Sequence, residues 1–222
     1  MVEPELAMDI DIIIPTYNRD ATIGRAIKSC RTAHVIVVDD GSTDKTAQVV
    51  SKYPNVEYIK IEHTGINGKV KDIGIQYGHS KYYAIVDSDD YLANNAIERL
   101  EKFVKNQALV YTNHLVDGRH GFNTRIPLNA DTMGRDCPIR QLAVVRRDAY
   151  ELVGGYNTTM VAATDSDLYL RLYSEYGREC VHMNEFLYYK DNTRKDRVSV
   201  EHKSIQRQLY IENLRKYREG TL

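Results

Sequence analysis

The sequence predicts an α/β fold built on a mostly parallel, doubly wound sheet, with a smaller lobe following it. Three observations predict this. The apolar runs Ile12 to Ile14, Val35 to Val38 and Ala84 to Val86 are continuous rather than alternating, as in strands buried on both faces. Segments of helical spacing separate them, each long enough to carry a parallel crossover. Each run then breaks into polar residues, at Tyr17, Asp40 and Asp87, and in such sheets ligands bind beyond the carboxyl ends of the strands.

Asp9 to Pro15 reads as the first strand, ended by a proline that cannot continue a ladder. Ala21 to Ser29 has helical spacing through Ile23, Ala26 and Ile27. Val35 to Val38 is the second strand, and a helix over Lys45 to Tyr53 follows, with Thr43 or Asp44 as its N-cap. Val56 to Ile61 is the third strand, Gly65 to Gly68 a loop, and Lys69 to Tyr77 a helix leading into the strand at Tyr82. A further helix is expected to start near Asn94. After about Lys105 the texture changes to short strands, Leu109 to Thr112 and Gln141 to Val145, around a loop at Asp117 to Ile126. Helices are expected over Arg147 to Val153, stopped by Gly154-Gly155, over Asp165 to Tyr176, and over the amphipathic stretch Ser204 to Tyr217.

With 222 residues, 42% of them hydrophobic and 27% charged, the chain is long enough for one substantial core and reads as a globular, soluble protein. A net charge of -1 argues against a nucleic-acid binder. Cys30, Cys137 and Cys180 are odd in number and widely spaced, which suits reduced thiols and a cytoplasmic location. The N-terminal stretch is acidic and unlike a signal peptide. No apolar run approaches the ~20 residues of a membrane span. Seventeen tyrosines beside no tryptophan and three phenylalanines suit wet clefts that hold sugars or bases.

The most informative stretch is YYAIVDSDDYL, Tyr82 to Leu92. Asp87, Asp89 and Asp90 put three carboxylates within four residues, which repel unless something positive sits among them. Mg²⁺ or Mn²⁺, which takes carboxylate oxygen together with phosphate and water, answers that need. An acidic turn capping the next helix is the plainer alternative.

The motifs DIIIPTYNR, VIVVDDGSTDKT, AIVDSDDYL, VGGYN and TDSDLYLRL, in that order, resemble the family 2 glycosyltransferases of GT-A fold, from Asp11 to about Ser199. The resemblance implies a single domain over 1–222, with a nucleotide-sugar-binding half at about 9–105 and an acceptor and catalytic-base half at about 106–222. It implies an inverting transferase that takes a sugar from a nucleotide-sugar, most often a UDP-sugar, with Mn²⁺ or Mg²⁺, to a hydroxyl acceptor such as a glycan or lipid-linked sugar. Residue by residue, Asp40 is similar to the family's uracil partner, with Asp39 beside it structural. Tyr17 would stack on the base among Pro15, Thr16 and Arg19. Asp87 would reach the ribose next to Ser88, and Asp89 would bind the metal, with Asp90 either a second ligand or a helix cap. Asp165 aligns with the catalytic base, and Asp167 is its rival by proximity. Lys71-Asp72 stands where the family commonly has Arg-Asn, and Lys71 would offer its charge to the donor. Thr164 replaces an acid. His182 and His202 are candidates for the family's late histidine. From Lys190 onward nine Lys or Arg outnumber five acids, an excess that could meet the donor diphosphate, an anionic acceptor or a bilayer surface. The competing expectation is a GT-A module that binds nucleotide-sugar without catalysis, as a sensor or scaffold.

Overall fold

The computed structural model describes residues 9–117, 119–120, 132, 139, 142–191 and 203–221. Its sheet has the strand order β3-β2-β1-β4-β8-β6-β9-β5, with β7 pairing on β6. The strands are β1 Ile10–Thr16, β2 His34–Asp39, β3 Val56–Lys60, β4 Tyr82–Ile85, β5 Tyr91–Leu92, β6 Leu109–Val116, β7 Arg119–His120, β8 Ala143–Arg146 and β9 Cys180–Lys190. The helices are α1 Ile23–Ser29, α2 Thr46–Val50, α3 Asn67–Tyr77, α4 Ala96–Phe103, α5 Arg147–Leu152, α6 Thr164–Tyr176 and α7 Lys203–Glu219.

The apolar runs are buried on both faces, as continuous hydrophobicity requires. Ile12 and Ile14 of β1, with Val35 and Val37 of β2, pack with Ile23, Ile27, Ile97 and Leu100 of α1 and α4. Ile13, Ile36 and Val38 face the other way, into a second core with Val70 and Ile75 of α3 and Leu168, Leu170 and Leu172 of α6. Helices therefore cover both sides of the sheet. The parallel expectation holds without exception for β3-β2-β1-β4. Beyond β4 the sheet is mixed, because β8 runs antiparallel to both β4 and β6, and β5 antiparallel to β9. β6 and β9 return to the common direction.

Several boundaries differ from the sequence expectation. α2 is shorter than Lys45 to Tyr53, and neither expected cap holds it: its N-cap is Lys45, without a side-chain cap, while Asp44 Oδ1, one residue earlier, accepts the Thr46 N–H at 2.9 Å. Thr43 is occupied elsewhere, donating its N–H to Asn18 Oδ1. α4 starts at Ala96 after a left-handed Asn95, and the short strand β5 precedes it. β9, the longest of the described strands, has no clean period-two alternation in its sequence; it pairs along all of β6 across a register shift at Asn113. Gly154 and Gly155 do end α5, both at positive φ (83° and 69°) where a side chain would be strained. The expected loop at Asp117 to Ile126, Gln141, Cys137 and His202 lie wholly or mostly outside the described residues. No described helix is long and apolar enough to cross a membrane.

Candidate functional site

The carboxyl ends of β1 and β2 lie side by side, Thr16 opposite Asp39, with the Asp40 N–H donated to the Thr16 carbonyl at 2.9 Å. The turns that follow are laced together. Asn18, in a left-handed conformation, donates its N–H to Ser42 Oγ at 2.8 Å and accepts the Thr43 N–H at 2.9 Å. The Arg19 N–H reaches Thr46 Oγ1 at 2.9 Å. Pro15 and Thr16 are buried, and Thr16 Oγ1 has no hydrogen-bond partner among the described residues. Asp39 is structural as expected: fully buried, it accepts the Ser42 N–H and the Tyr58 hydroxyl.

Asp40 organises the other wall. Its Oδ1 accepts the Thr64 N–H at 2.7 Å and its Oδ2 the Gly65 N–H at 3.0 Å, so the carboxylate fixes the 63–65 segment. His63 Nδ1 lies 2.8 Å from the Asp40 carbonyl and 3.0 Å from Oδ2. The His63 ring stacks on Tyr17 with centroids 4.2 Å apart, and Tyr17 remains 40% exposed. Tyr17, Asp40 and His63 thus form one aromatic and acidic wall. His63 carried no sequence signal, because nothing in EHTGIN ties it to β1.

At the end of β4, Asp87, Asp89 and Asp90 bring one carboxylate oxygen each to within 4.8 Å of one another. Ser88, between them, is buried. Asp90 is not a helix cap. It is fully buried and its oxygens accept the Tyr188 hydroxyl at 2.8 Å and the Asp191 N–H at 2.9 Å, tying this turn to the end of β9. Burial pushes its carboxyl up to about 7, assisted by the charges of Asp87 and Asp89. A cation among these groups would relieve that crowding, so the donor set fits a hard divalent ion. Arg25 braces the same turn from α1, donating to the Asp89 carbonyl at 2.7 Å and to Asp191 Oδ2 at 2.6 Å.

Asp165 sits in the first turn of α6 with its side chain 43% exposed. Lys71 of α3, itself buried, places its ammonium 2.7 and 2.8 Å from the two Asp165 oxygens. The Tyr156 hydroxyl donates to Asp165 Oδ1 at 2.8 Å. Tyr156 belongs to VGGYN, and its hydroxyl is held well above its ordinary value by burial and then by the Asp165 charge. Asp167 is turned away and paired with Arg171 at 2.6 Å. Thr164 is buried against α3, where a Cβ on Gly68 would lie 3.0 Å from its methyl. His182 is half-buried: it stacks on Tyr111 and bonds Asn113 at 2.9 Å, and burial lowers its pKa.

The fold is that of the GT-A class. The chain superposes on Staphylococcus aureus TarS residues 1–349 in complex with UDP-GlcNAc with a TM-score of 0.73 at 20% identity, covering 86% of this chain and 60% of that one. It superposes on the mannosyltransferase PcManGT from Pyrobaculum calidifontis, in complex with GDP-Man and Mn²⁺, with a TM-score of 0.65 at 16% identity, covering 93% and 62%. The profile of glycosyl transferase family 2 matches residues 11–165, and the chain belongs to that family. Among relatives, chondroitin synthase of Escherichia coli is 31% identical over 198 residues, covering 81% of this chain and 28% of that protein. Hyaluronan synthase of Pasteurella multocida is 28% identical over 217 residues, covering 88% and 22%. The chain thus spans about a quarter of the length of these two synthases.

Proposed function

We propose that this chain is a metal-dependent, inverting glycosyltransferase that moves a sugar from a nucleotide-sugar, preferentially a UDP-sugar, to a hydroxyl acceptor. The observation that carries the reading is the convergence of Asp87, Asp89 and Asp90 at the carboxyl edge of the sheet. In this reading Tyr17 stacks on the base, Asp40 accepts its N–H, and Pro15, Thr16, Arg19, Asp87 and Ser88 surround the rest of the donor, whereas Lys71, expected there, has its ammonium on Asp165 instead. The Thr16 hydroxyl, without a partner among the described residues, is a further polar group ready for the donor. Asp89 and Asp90 hold Mn²⁺ or Mg²⁺, which supplies positive charge for the departing diphosphate.

The acceptor hydroxyl oxygen attacks the anomeric carbon from the face opposite the diphosphate. The new carbon–oxygen bond forms as the bond to the diphosphate breaks, and Asp165 takes the hydroxyl proton. Residues 9–105 serve the donor and 106–222 the acceptor and base within one domain. The preference for uridine rests on Asp40 and Tyr17 alone, since solved structures of this fold hold either UDP-GlcNAc or GDP-Man. The buried thiols of Cys30 and Cys180, unpaired among the described residues, are consistent with a reducing, cytoplasmic setting. A binding-only module has less to motivate it once Lys71, Asp72 and Thr164 are seen engaged around Asp165 and α3.

A thermal-shift panel of UDP-, GDP-, CMP- and dTDP-sugars, with and without Mn²⁺, tests the donor assignment, because a ligand that binds only the native state raises the melting temperature. The expected result is a shift with UDP-sugars that requires Mn²⁺. A shift indifferent to Mn²⁺ would remove the metal from the reading, and a larger shift with GDP-sugars would remove the uridine preference.

A further inference from the structure

α3 places two adjacent side chains, Lys71 and Asp72, on the base-bearing region of α6. Lys71 reaches Asp165 directly, its ammonium 2.7 and 2.8 Å from the two oxygens and 5.5 Å from the centre of the Tyr156 ring. Asp72 reaches it indirectly. Its Oδ1 accepts the Tyr150 hydroxyl at 2.6 Å, and the Tyr150 oxygen accepts the Tyr156 N–H at 2.9 Å. The Tyr156 hydroxyl closes the circuit by donating to Asp165 at 2.8 Å. Gly68, one turn before Lys71, lets the two helices approach this closely, since a Cβ there would press on Thr164 and on the Asn157 carbonyl.

We propose that Lys71, supported by Asp72 through Tyr150 and Tyr156, is the positioning residue of the catalytic carboxylate, holding Asp165 in the one orientation from which it meets the acceptor hydroxyl. The proposal rests on Asp165 being the base. The physical need is clear. Asp165 is 43% exposed, and an aspartate so open to water samples several rotamers. Contacts to both oxygens from a buried ammonium and to one from a buried hydroxyl fix the carboxylate plane. Each carboxylate oxygen has two lone-pair sites, so acceptor capacity remains on the exposed side. Lys71 is 3% exposed, so it also depends on Asp165 for its countercharge. The Lys71-Asp72 pair, which departs from the family's usual Arg-Asn, thereby acquires a role on the acceptor side of the reaction rather than on the donor.

Lys71→Met, Asp165→Asn, the double variant and Lys71→Arg in the full chain test this with three readouts. The first is melting temperature. Asp165→Asn strands a buried ammonium and should lower it by roughly 5–10 °C, and Lys71→Met in the same chain should restore most of that loss. The second is the rate of UDP release from UDP-N-acetylglucosamine with Mn²⁺, water serving as acceptor. Lys71→Met should slow kcat roughly 10²-fold, the scale of a misplaced catalytic group, while Lys71→Arg recovers a large part of it and the double variant is no slower than Asp165→Asn. The third is UDP affinity in the presence of Mn²⁺, which Lys71→Met should leave within about threefold. Additive melting temperatures overturn the pairing whatever the chain turns over. A tenfold weaker UDP with unchanged kcat makes Lys71 a donor contact and overturns the proposal. If Asp165→Asn is inactive while Lys71→Met turns over normally, Lys71 loses its role and the base stands. If Asp165→Asn itself turns over normally, the assignment of the base fails, and the positioning role fails with it.

Discussion

Asp89 and Asp90 are neighbours of the same chemical type with different surroundings, and substitution should separate them. The side chain of Asp90 holds the Tyr188 hydroxyl and the Asp191 N–H, so Asp90→Ala leaves two buried donors unpaired. It should lower stability by about 2 kcal/mol or more, read in urea denaturation. Asp89→Ala removes a carboxylate whose backbone carbonyl still accepts Arg25. It should abolish the Mn²⁺ dependence of UDP binding in calorimetry, at a smaller cost to stability than Asp90→Ala. His63 is a second test at this scale. Its ring stacks on Tyr17, and an aromatic pair contributes roughly 0.5–1.5 kcal/mol beyond its area. His63→Ala should therefore weaken UDP about three- to tenfold by leaving Tyr17 without its backing, and unchanged affinity would remove His63 from the site.

At the scale of the element, α3 connects the sheet to the base. It lies flat on β1 and β2 because position 74 is a glycine: a Cβ there would collide with Ile13 and come within 3.0 Å of Val38. Gly74→Ala should cost about 1–3 kcal/mol by overpacking. Because α3 also carries Lys71, the same substitution should reduce turnover more than it reduces UDP affinity, and equal losses in both would show that α3 merely supports the donor wall. The helix was legible from its spacing. Its job was not, because Lys71 and Asp165 are far apart in sequence and only the packing of α3 on α6 brings them together.

Across the whole molecule, the sheet edge opposite the site is tied by Asp11. This buried carboxylate accepts from His34 of β2 at 3.0 Å, from the Ser80 N–H and hydroxyl at 2.9 and 2.8 Å, and from Arg147 of α5 at 2.8 Å. Burial pushes its carboxyl up, but the hydrogen bonds from His34 and Ser80 outweigh it and leave it below the ordinary value. A depressed native pKa means the unfolded chain binds the proton first. The contribution of Asp11 is then fully present above about pH 4, the unfolded value, and lost as pH falls through the native one. The stability difference between the wild-type chain and Asp11→Asn, measured by urea denaturation from pH 3 to 7, should be constant above about pH 5 and shrink below about pH 4. A difference that grew on acidification would reverse the sign and the argument.

The sequence by itself determined the first four parallel strands and the helices between them, because continuous apolar runs and 3.6-residue spacing are local properties that burial on two faces enforces. It determined the polar edge too: Tyr17, Asp40 and the acidic cluster follow directly on apolar runs, and a strand's carboxyl end is fixed by where its apolar run stops. Tertiary structure alone decided the rest. β9 was invisible because its pairing with β6 passes through a register shift that scrambles alternation. Asp90 became a strut rather than a cap because β9 delivers Tyr188 and Asp191 to it across 98 and 101 residues of chain. Lys71 met Asp165 because glycines let α3 approach both β1 and α6. Local pattern fixes which residues form an element and which face they bury. Long-range pairing of charges and hydrogen bonds depends on how those elements pack, and no spacing along the chain encodes it.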